Sequence, residues 1–147
     1  MLVLNSNGCM TFNWKSINTP TLSHSKLLEV LDTTPQCVLL LEGGSDINPA
    51  LYGEENKWSN FSDARDMHEC YLYKLALERK IPVLGICRGH QLMAALAGGD
   101  LYQDIRRQLG NSHTYKHEIV FTEEATTSEF IDLMASNPLG CPSVVNS

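Results

Sequence analysis

A cysteine lies at the centre of the segment Gly85-Ile86-Cys87-Arg88-Gly89, which has the form Gly-x-Cys-x-Gly. This is the cysteine form of the Gly-x-Ser-x-Gly turn, which presents a nucleophile between a strand and a helix. The positive end of the helix favours the thiolate, and the N–H of Arg88 can bind a developing oxyanion. The segment therefore predicts Cys87 as a nucleophile. The alternative interpretation is a buried cysteine between glycines that serve only helix–sheet packing.

This turn needs a strand before it and a helix after it, and the sequence supplies both. "IPVLGI" precedes Cys87 as a buried strand, and "GHQLMAALAGG" follows as a short helix closed by two glycines. "QCVLLLEGG" is a second continuous apolar run that ends in glycines, and Leu2 to Leu4 is a candidate first strand. Such runs are typical of strands covered on both faces of a parallel sheet.

Helical patterns alternate with these strands. "SHSKLLEVLDTT" predicts a helix capped by Ser23 or Ser25. "SDARDMHECYLYKLALERK" predicts the clearest helix, with four apolar side chains at helical spacing: Met67, Cys70, Tyr71 and Leu75. Residues 5–24 and 45–64 are polar and are predicted as loops. Beyond Ile105, "HEIVF" and "PSVVNS" suggest strands and "TTSEFIDLMAS" a helix, so the alternation predicts an α/β sheet.

Composition excludes several classes of protein. The net charge is -6 and no basic patch exists, which argues against nucleic-acid binding. No apolar stretch approaches the roughly 18 residues of a membrane span, and no signal peptide is evident, so a cytoplasmic protein without a membrane partner is expected. The five cysteines are odd in number and form no Cys-x-x-Cys pair, so neither a disulfide framework nor a metal site is predicted, and no cofactor is expected.

Three ordered segments carry a family resemblance: "LLLEGGSDINPALYGE", "DARDMHECYLYKLAL" and "IPVLGICRGHQLMAALAGGDLYQDI". Together they closely resemble class I glutamine amidotransferase-like proteins of the gamma-glutamyl-gamma-aminobutyrate hydrolase type. The resemblance is strong over residues 38–105 and weak over 106–147. It implies a flavodoxin-like three-layer α/β sandwich with a mostly parallel sheet, incomplete at the C-terminus. Residues 1–147 would then form a single partial domain.

The resemblance also implies roles for individual residues. Cys87 would be the nucleophile, and the backbone N–H groups of Gly44 and Arg88 would form the oxyanion hole. Gln91 matches a position near the substrate's glutamyl group, although it is equally well interpreted as a polar residue of the first helical turn. Five further residues match family motifs and are better interpreted as structural, two as loop supports and three as an ion-paired helix start: Asp46, Asn48, Arg65, Asp66 and Glu69.

The family's general base is a histidine followed two positions later by a glutamate, and no His-x-Glu occurs in this sequence. His90 follows the cysteine too closely and is expected to point elsewhere. His113 and His117 match a part of the family outside the catalytic dyad. Three interpretations stay open: a truncated chain, a second polypeptide that completes the site, or a non-catalytic relative.

The predicted function is gamma-glutamyl amide hydrolysis through a thioester on Cys87, incomplete or inactive alone because the dyad is absent. The alternatives are a glutaminase-type amidotransferase subunit and a non-catalytic binding or regulatory protein. The expected partners are a small gamma-glutamyl substrate and either a complementing chain or a second copy, since missing strands would leave an apolar sheet edge exposed.

Overall fold

The computed structural model describes residues 2–8, 15–34 and 36–110, together with two short strands at His117–Glu118 and Val144–Val145. Contacts divide the chain into two units, Met1–Asp104 and Ile105–Ser147, and each is described by itself. The expectation of one domain over 1–147 stays a prediction. The expected incomplete C-terminus falls outside the described residues.

A parallel sheet organises the first unit. Its strands are β1 (Leu2–Asn5), β2 (Ser16–Asn18), β3 (Cys37–Leu41) and β4 (Val83–Gly85), in the order β2-β1-β3-β4. All three pairings are parallel. This order matches the first four strands of the flavodoxin-like arrangement, in which ligands bind beyond the carboxyl ends of the strands near β1 and β3. The predicted α/β fold with a parallel sheet is confirmed.

Two of the predicted loops contain regular structure. Residues 5–24 include the strand β2 and a 3-10 turn at Thr19–Thr21. The prediction of a loop was therefore wrong for these residues. The strand sequence Ser-Ile-Asn lies at the sheet edge with both serine and asparagine exposed, and such a short polar strand lacks the apolar run that marks the others. The segment 45–64 contains a second 3-10 turn at Pro49–Tyr52.

Three helices accompany the sheet: α1 (His24–Thr33), α2 (Asp63–Glu78) and α3 (Arg88–Leu96). Ser23 caps α1 by accepting a hydrogen bond from the N–H of Lys26, which confirms one of the two predicted caps. Ser62 caps α2 in the same way. The helix α3 ends before Gly98, which adopts a φ of 86° and whose N–H bonds to the carbonyl of Ala95.

The apolar core lies between the sheet and these helices. Leu2 and Leu4 of β1 and Leu39 and Leu41 of β3 are buried in one cluster. The helices complete that cluster with six residues: Leu27, Leu72, Leu75, Ala76, Leu92 and Ala95. The prediction that the apolar runs of β1 and β3 are buried is confirmed.

The four apolar residues whose spacing predicted α2 do not all lie on its buried face. Met67 is 71% exposed and Tyr71 is 38% exposed, although Leu75 is buried. The face that α2 buries instead consists of Asp66, Glu69, Leu72, Leu75 and Ala76. Two of these residues are acidic, so their positions could not be recognised from hydrophobic periodicity.

The second unit contains a short helix, α4 (Ile105–Leu109), and two short strands, β5 (His117–Glu118) and β6 (Val144–Val145). These strands pair antiparallel, with His117 opposite Val145. They coincide with parts of the two predicted strands, whereas the helix predicted at residues 126–136 lies outside the described residues. In the part of the chain that is described, no helix has the length and hydrophobicity needed to cross a membrane.

Candidate active site at the cysteine turn

The segment Gly85–Gly89, called here the cysteine turn, joins β4 directly to α3. Cys87 occupies the N-cap of α3 with φ 52° and ψ -110°, and its side chain is exposed. A positive φ in a non-glycine residue costs roughly 1–3 kcal/mol, so the surrounding structure must enforce it. The N–H of Ile86 bonds to the carbonyl of Leu41 at 2.9 Å, and the N–H of Gln91 bonds to the carbonyl of Cys87 at 3.0 Å. The turn is therefore fixed on both sides of the sulfur.

The two glycines of the cysteine turn are required by close backbone contacts. A Cβ on Gly85 would lie 2.7 Å from the carbonyl carbon of Gly89. A Cβ on Gly89 would lie 2.1 Å from the carbonyl oxygen of Leu41. Because backbone atoms cannot move aside as a flexible side chain can, any larger residue would push α3 away from the sheet. Both glycines are therefore needed for the close packing of α3 against the sheet.

A second loop, formed by Gly43 and Gly44 after β3 and called here the diglycine loop, lies beside Cys87. A Cβ on Gly43 would lie 3.5 Å from the Cβ of Cys87. Gly44 adopts a φ of 145°, which L side chains rarely adopt. Within the described part of the chain, neither the N–H of Gly44 nor that of Arg88 has a hydrogen-bond partner. The structure thus brings together the cysteine turn and the loop expected to supply oxyanion donors, while the donors' role stays a prediction.

The side chain of Arg88 turns into the protein, which the sequence did not reveal. It is 1% exposed and forms ion pairs with Asp66 and Glu69 of α2. The Nε of Arg88 has no partner among the described atoms. Because the arginine follows the nucleophile directly, these ion pairs anchor the cysteine turn to α2.

Glu69 is the centre of this buried polar network, defined here as Ser6, Arg65, Asp66, Glu69 and Arg88. Its Oε1 accepts from the Nε of Arg65 at 3.0 Å and from the Oγ of Ser6 at 2.8 Å, while its Oε2 binds Arg88. Its side chain is fully buried. The expectation of an ion-paired helix start is confirmed, and the additional partner is Arg88.

Burial also affects Asp66, one acidic member of the polar network. Burial raises the pKa of the Asp66 carboxyl, and the N–H of Asn48 and the guanidinium of Arg88 offset this only in part. The N–H of Asn48 reaches Asp66 Oδ2 at 2.9 Å. This bond ties the loop after β3 to α2, on the same side as the cysteine turn.

Ser6 and Glu42 extend the polar network to the ends of β1 and β3. The Oγ of Ser6 accepts from the N–H of Glu42 at 3.1 Å, and the Glu42 carboxylate accepts from the N–H of Asn7 at 2.9 Å. Glu42 is fully buried. Sequence reasoning missed both residues, although an acidic residue that continues the apolar run "CVLLL" was an available signal, since buried carboxylates are retained only with partners.

The loop residues Asp46 and Asn48 behave as the sequence suggested. Asn48 Oδ1 accepts from the N–H of Ala50 at 2.9 Å, and Asp46 Oδ2 accepts from the N–H of Asn60 at 2.9 Å. These bonds within the loop confirm the structural interpretation of both side chains.

Gln91 and His90 both lie exposed on the first turn of α3. The role of Gln91 near a glutamyl group stays a prediction. The Sγ of Cys87 has no hydrogen-bond partner among the described residues, so no described histidine acts on it in this structure. His113 lies outside the described residues, and of His117 only the strand is described.

The three described cysteines differ in environment, and all are free thiols. Cys37 is buried, and burial raises the pKa of its thiol. Burial, followed by the carboxylates of Asp66 and Glu69, raises the pKa of the Cys70 thiol. Cys87 is the exposed member of the three. In the described residues, no group of three or more side chains is arranged to hold a metal ion.

The parallel sheet, the strained cysteine between β4 and α3, and the adjacent diglycine loop define an α/β protein with a cysteine at a strand-to-helix turn. A sequence model of the Peptidase C26 family matches residues 16–140. The chain therefore belongs to the Peptidase C26 family, which confirms the recognition of a class I glutamine amidotransferase-like protein.

Three relatives show the extent of the similarity. The glutamine amidotransferase-like protein YvdE of Lactococcus lactis is 38% identical over 104 residues, which cover 69% of this chain and 43% of the relative. Protein NtpR of Enterococcus hirae is 42% identical over 69 residues, or 46% of this chain and 29% of the relative. The gamma-glutamyl-gamma-aminobutyrate hydrolase PuuD of Escherichia coli is 33% identical over 87 residues, or 59% of this chain and 34% of the relative. The chain thus spans less than half the length of these curated relatives.

Proposed function

We propose that this protein carries the nucleophile half of a hydrolase acting on gamma-glutamyl amides. The observation that carries the proposal is the exposed Cys87 at φ 52°, beside two backbone donors that have no hydrogen-bond partner among the described residues. Membership of the Peptidase C26 family and similarity to a gamma-glutamyl-gamma-aminobutyrate hydrolase support the substrate class.

In the proposed reaction, the Sγ of Cys87 attacks the gamma-carbonyl carbon and forms a C–S bond. The carbonyl oxygen becomes an oxyanion, which the N–H groups of Gly44 and Arg88 stabilise. The C–N bond then breaks, the amine leaves with a proton, and a thioester remains on Cys87. Water adds to the thioester, the C–S bond breaks, and the gamma-glutamyl carboxylate and the free thiol are released.

A general base must take the thiol proton and deliver it to the amine. Among the described residues, no side chain forms a hydrogen bond with the Cys87 sulfur. We therefore assign the base to a residue outside the described ones or to a complementing chain, and Gln91 to contact with the glutamyl group. Without that base, the chain should be acylated by activated compounds but should turn over slowly.

A chloroketone analogue of glutamine tests the proposal on the intact chain, with labelling of each cysteine followed by peptide mass spectrometry. Cys87 should react much faster than Cys37 and Cys70, and glutamine should slow that reaction. Iodoacetamide, which lacks the glutamyl group, serves as the control for simple exposure. If glutamine gives no protection and the chloroketone shows no more preference for Cys87 than iodoacetamide does, the site does not bind gamma-glutamyl compounds.

A second candidate is a non-catalytic binding or regulatory protein. The absence of a described hydrogen-bond partner on the Cys87 sulfur favours it. Acylation separates the two, because glutamine would protect Cys87 of a binding protein from iodoacetamide, but that protein would form a thioester with an activated gamma-glutamyl ester no faster than an unfolded peptide does. A glutaminase subunit that passes ammonia to a synthase is a third possibility, and the segment "GGSDINPALYG" favours the hydrolase over it.

A further inference from the structure

We propose that Arg65 is a positioning residue for the oxyanion hole: it fixes the peptide between Gly43 and Gly44, and Glu69 couples it to Arg88. The inference rests on the proposed function, because it concerns how the two donors of that site are held. It assigns Arg65 and Glu69 a role beyond stabilising the start of α2.

Arg65 binds the backbone of the diglycine loop directly. Its Nη2 donates to the carbonyl oxygen of Gly43 at 2.9 Å and to that of Glu42 at 3.2 Å. Its side chain is only 15% exposed. Hydrogen bonds from a charged donor are stronger than those between neutral groups, so these contacts restrain two successive carbonyl groups of the loop.

The geometry of the peptide bond transmits this restraint to Gly44. The bond between Gly43 and Gly44 is trans, so the carbonyl of Gly43 and the N–H of Gly44 lie on opposite sides of one rigid plane. When Arg65 holds the carbonyl on one side, the N–H must point to the other. The donation also polarises the peptide, which strengthens the N–H as a donor.

The backbone conformation of Gly44 favours glycine, and the close approach of Arg65 adds to that preference. A Cβ at this position would lie 2.3 Å from the Nη1 of Arg65. Glycine therefore allows the guanidinium to lie against the loop at the observed φ of 145°. A side chain at residue 44 would displace the guanidinium from the loop.

Glu69 links Arg65 to the second donor. One carboxylate oxygen accepts from Arg65 and the other from Arg88, whose own backbone N–H is the second oxyanion donor. One fully buried carboxylate therefore anchors both loops that flank the position of the oxyanion. A network that served stability alone would not need to hold these two loops.

Two reagents separate positioning from simple stability, and neither needs a general base. p-Nitrophenyl acetate acetylates a thiolate through an oxyanion and releases p-nitrophenolate, whereas iodoacetamide alkylates the same thiolate without forming an oxyanion. Both rates at Cys87 are measured by peptide mass spectrometry. The ionised fraction and the exposure of the thiol affect both rates equally, so they cancel when the acetylation rate is divided by the alkylation rate. A synthetic peptide spanning residues 82–93 gives the ratio in the absence of a fold.

We expect the wild-type ratio to exceed that of the peptide. Arg65→Met should lower the ratio by about tenfold, less than the roughly 100-fold or greater loss for a removed oxyanion donor, because the N–H is misplaced and not deleted. Arg65→Lys should lose less, since an ammonium reaches Glu69 but cannot bind both carbonyls as a planar guanidinium does. Arg79→Met removes an ion pair with Asp32 about 20 Å further along α2 and should leave the ratio unchanged.

The possible failures are distinguishable. A wild-type ratio equal to that of the peptide would overturn the proposed oxyanion hole and this inference together. An elevated wild-type ratio that Arg65→Met and Arg65→Lys both preserve would overturn the role of Arg65 alone. Labelling of Cys37 at the rate of Cys87 reports unfolding, and its appearance in both variants would make Arg65 a residue of stability and contradict the proposal.

Discussion

The two halves of α2 bury different chemistry. The first half buries Asp66 and Glu69, which bind Arg88 and hold the cysteine turn. The second half buries Leu72, Leu75 and Ala76 in the apolar core. One continuous helix therefore connects the charged cluster that holds the cysteine turn to the apolar core beside the sheet. The first half is held by ion pairs, and the second half by apolar packing.

These interactions differ in what they tolerate. A buried charge costs several kcal/mol to desolvate, and only complete pairing offsets that cost. A buried leucine contributes through area and volume, which related apolar residues can largely supply. We therefore expect a single change of charge in the first half to lower the free energy of unfolding strongly. A substitution in the second half should lower it in proportion to the side-chain volume removed.

The largest expected effect is that of Glu69→Gln. The substitution keeps the shape of the side chain but leaves the buried Arg88 with one carboxylate in place of two. Removing one partner from a buried ion pair costs about 3–5 kcal/mol, and the free energy of unfolding in guanidinium chloride should fall by that amount. The ratio of acetylation to alkylation at Cys87 should fall as well, because both anchored loops are released.

Glu78→Gln is the matched control for this change. Glu78 is the last residue of the same helix and is exposed, so its substitution should alter stability by less than about 0.5 kcal/mol. Equal free energies of unfolding for the Glu69→Gln and Glu78→Gln variants would show that losing a buried carboxylate of α2 destabilises the fold no more than losing an exposed one.

A slightly smaller effect is expected from Leu72→Ala. Leu72 is 3% exposed within the core cluster, and a buried Leu→Ala change costs about 2–5 kcal/mol. Unlike Glu69→Gln, it should leave the ratio of acetylation to alkylation at Cys87 unchanged, since Leu72 packs in the apolar core and is not part of the polar network that holds the two loops. A fall in the ratio as large as that of Glu69→Gln would remove the distinction between the two halves.

The sequence predicted most of the fold because continuous apolar runs and capped helices are local signals. β3, β4, α1, α2 and α3 were each recognisable in this way. The edge strand β2 was not, because two of its three residues are polar and its pairing with β1 is set by distant backbone. The buried face of α2 was not recognisable for a related reason: hydrophobic periodicity assumes that buried positions are apolar, and Asp66 and Glu69 are not.

The candidate site was predictable where a motif carried it. The glycines and Cys87 stand in one short segment, and the structure gives each glycine a contact that excludes a side chain. The partners of Arg88 were not predictable, because Glu69 and Ser6 reach the site from distant parts of the chain. Only the folded arrangement shows that one carboxylate holds both Arg65 and Arg88.

A still smaller effect concerns His68, on the first half of α2. Thr19 Oγ1 donates its hydrogen to the carbonyl of Asn5, so the His68 Nε2 at 3.0 Å must be the donor in their contact. Burial lowers the pKa of His68, and Glu69 opposes this only in part. Between the lowered value and the unfolded value of about 6.5, the unfolded chain binds more protons. The free energy of unfolding should therefore decrease as pH falls from about 6.5.

Denaturation series between pH 7.5 and 5.5 measure this dependence. His68→Gln should flatten the decrease, whereas Met67→Ser, which changes an exposed neighbour on α2 that does not titrate, should retain the wild-type slope. A wild-type slope in the His68→Gln variant would mean that other groups cause the dependence.

The smallest effect is expected from Met67→Ser, and it tests the exposed face of α2 directly. Met67 is one of the four apolar residues whose spacing predicted α2, and on a buried face the loss of its thioether would cost at least about 2 kcal/mol. The structure exposes 71% of the residue, so the free energy of unfolding should change by less than about 0.5 kcal/mol beyond the modest difference in helix propensity. A loss comparable to that of Leu72→Ala would mean that Met67 is covered in the protein as it exists in solution. Gel filtration of wild type and variant at equal concentration would then separate cover by a second copy from cover within the chain, because only the first depends on concentration.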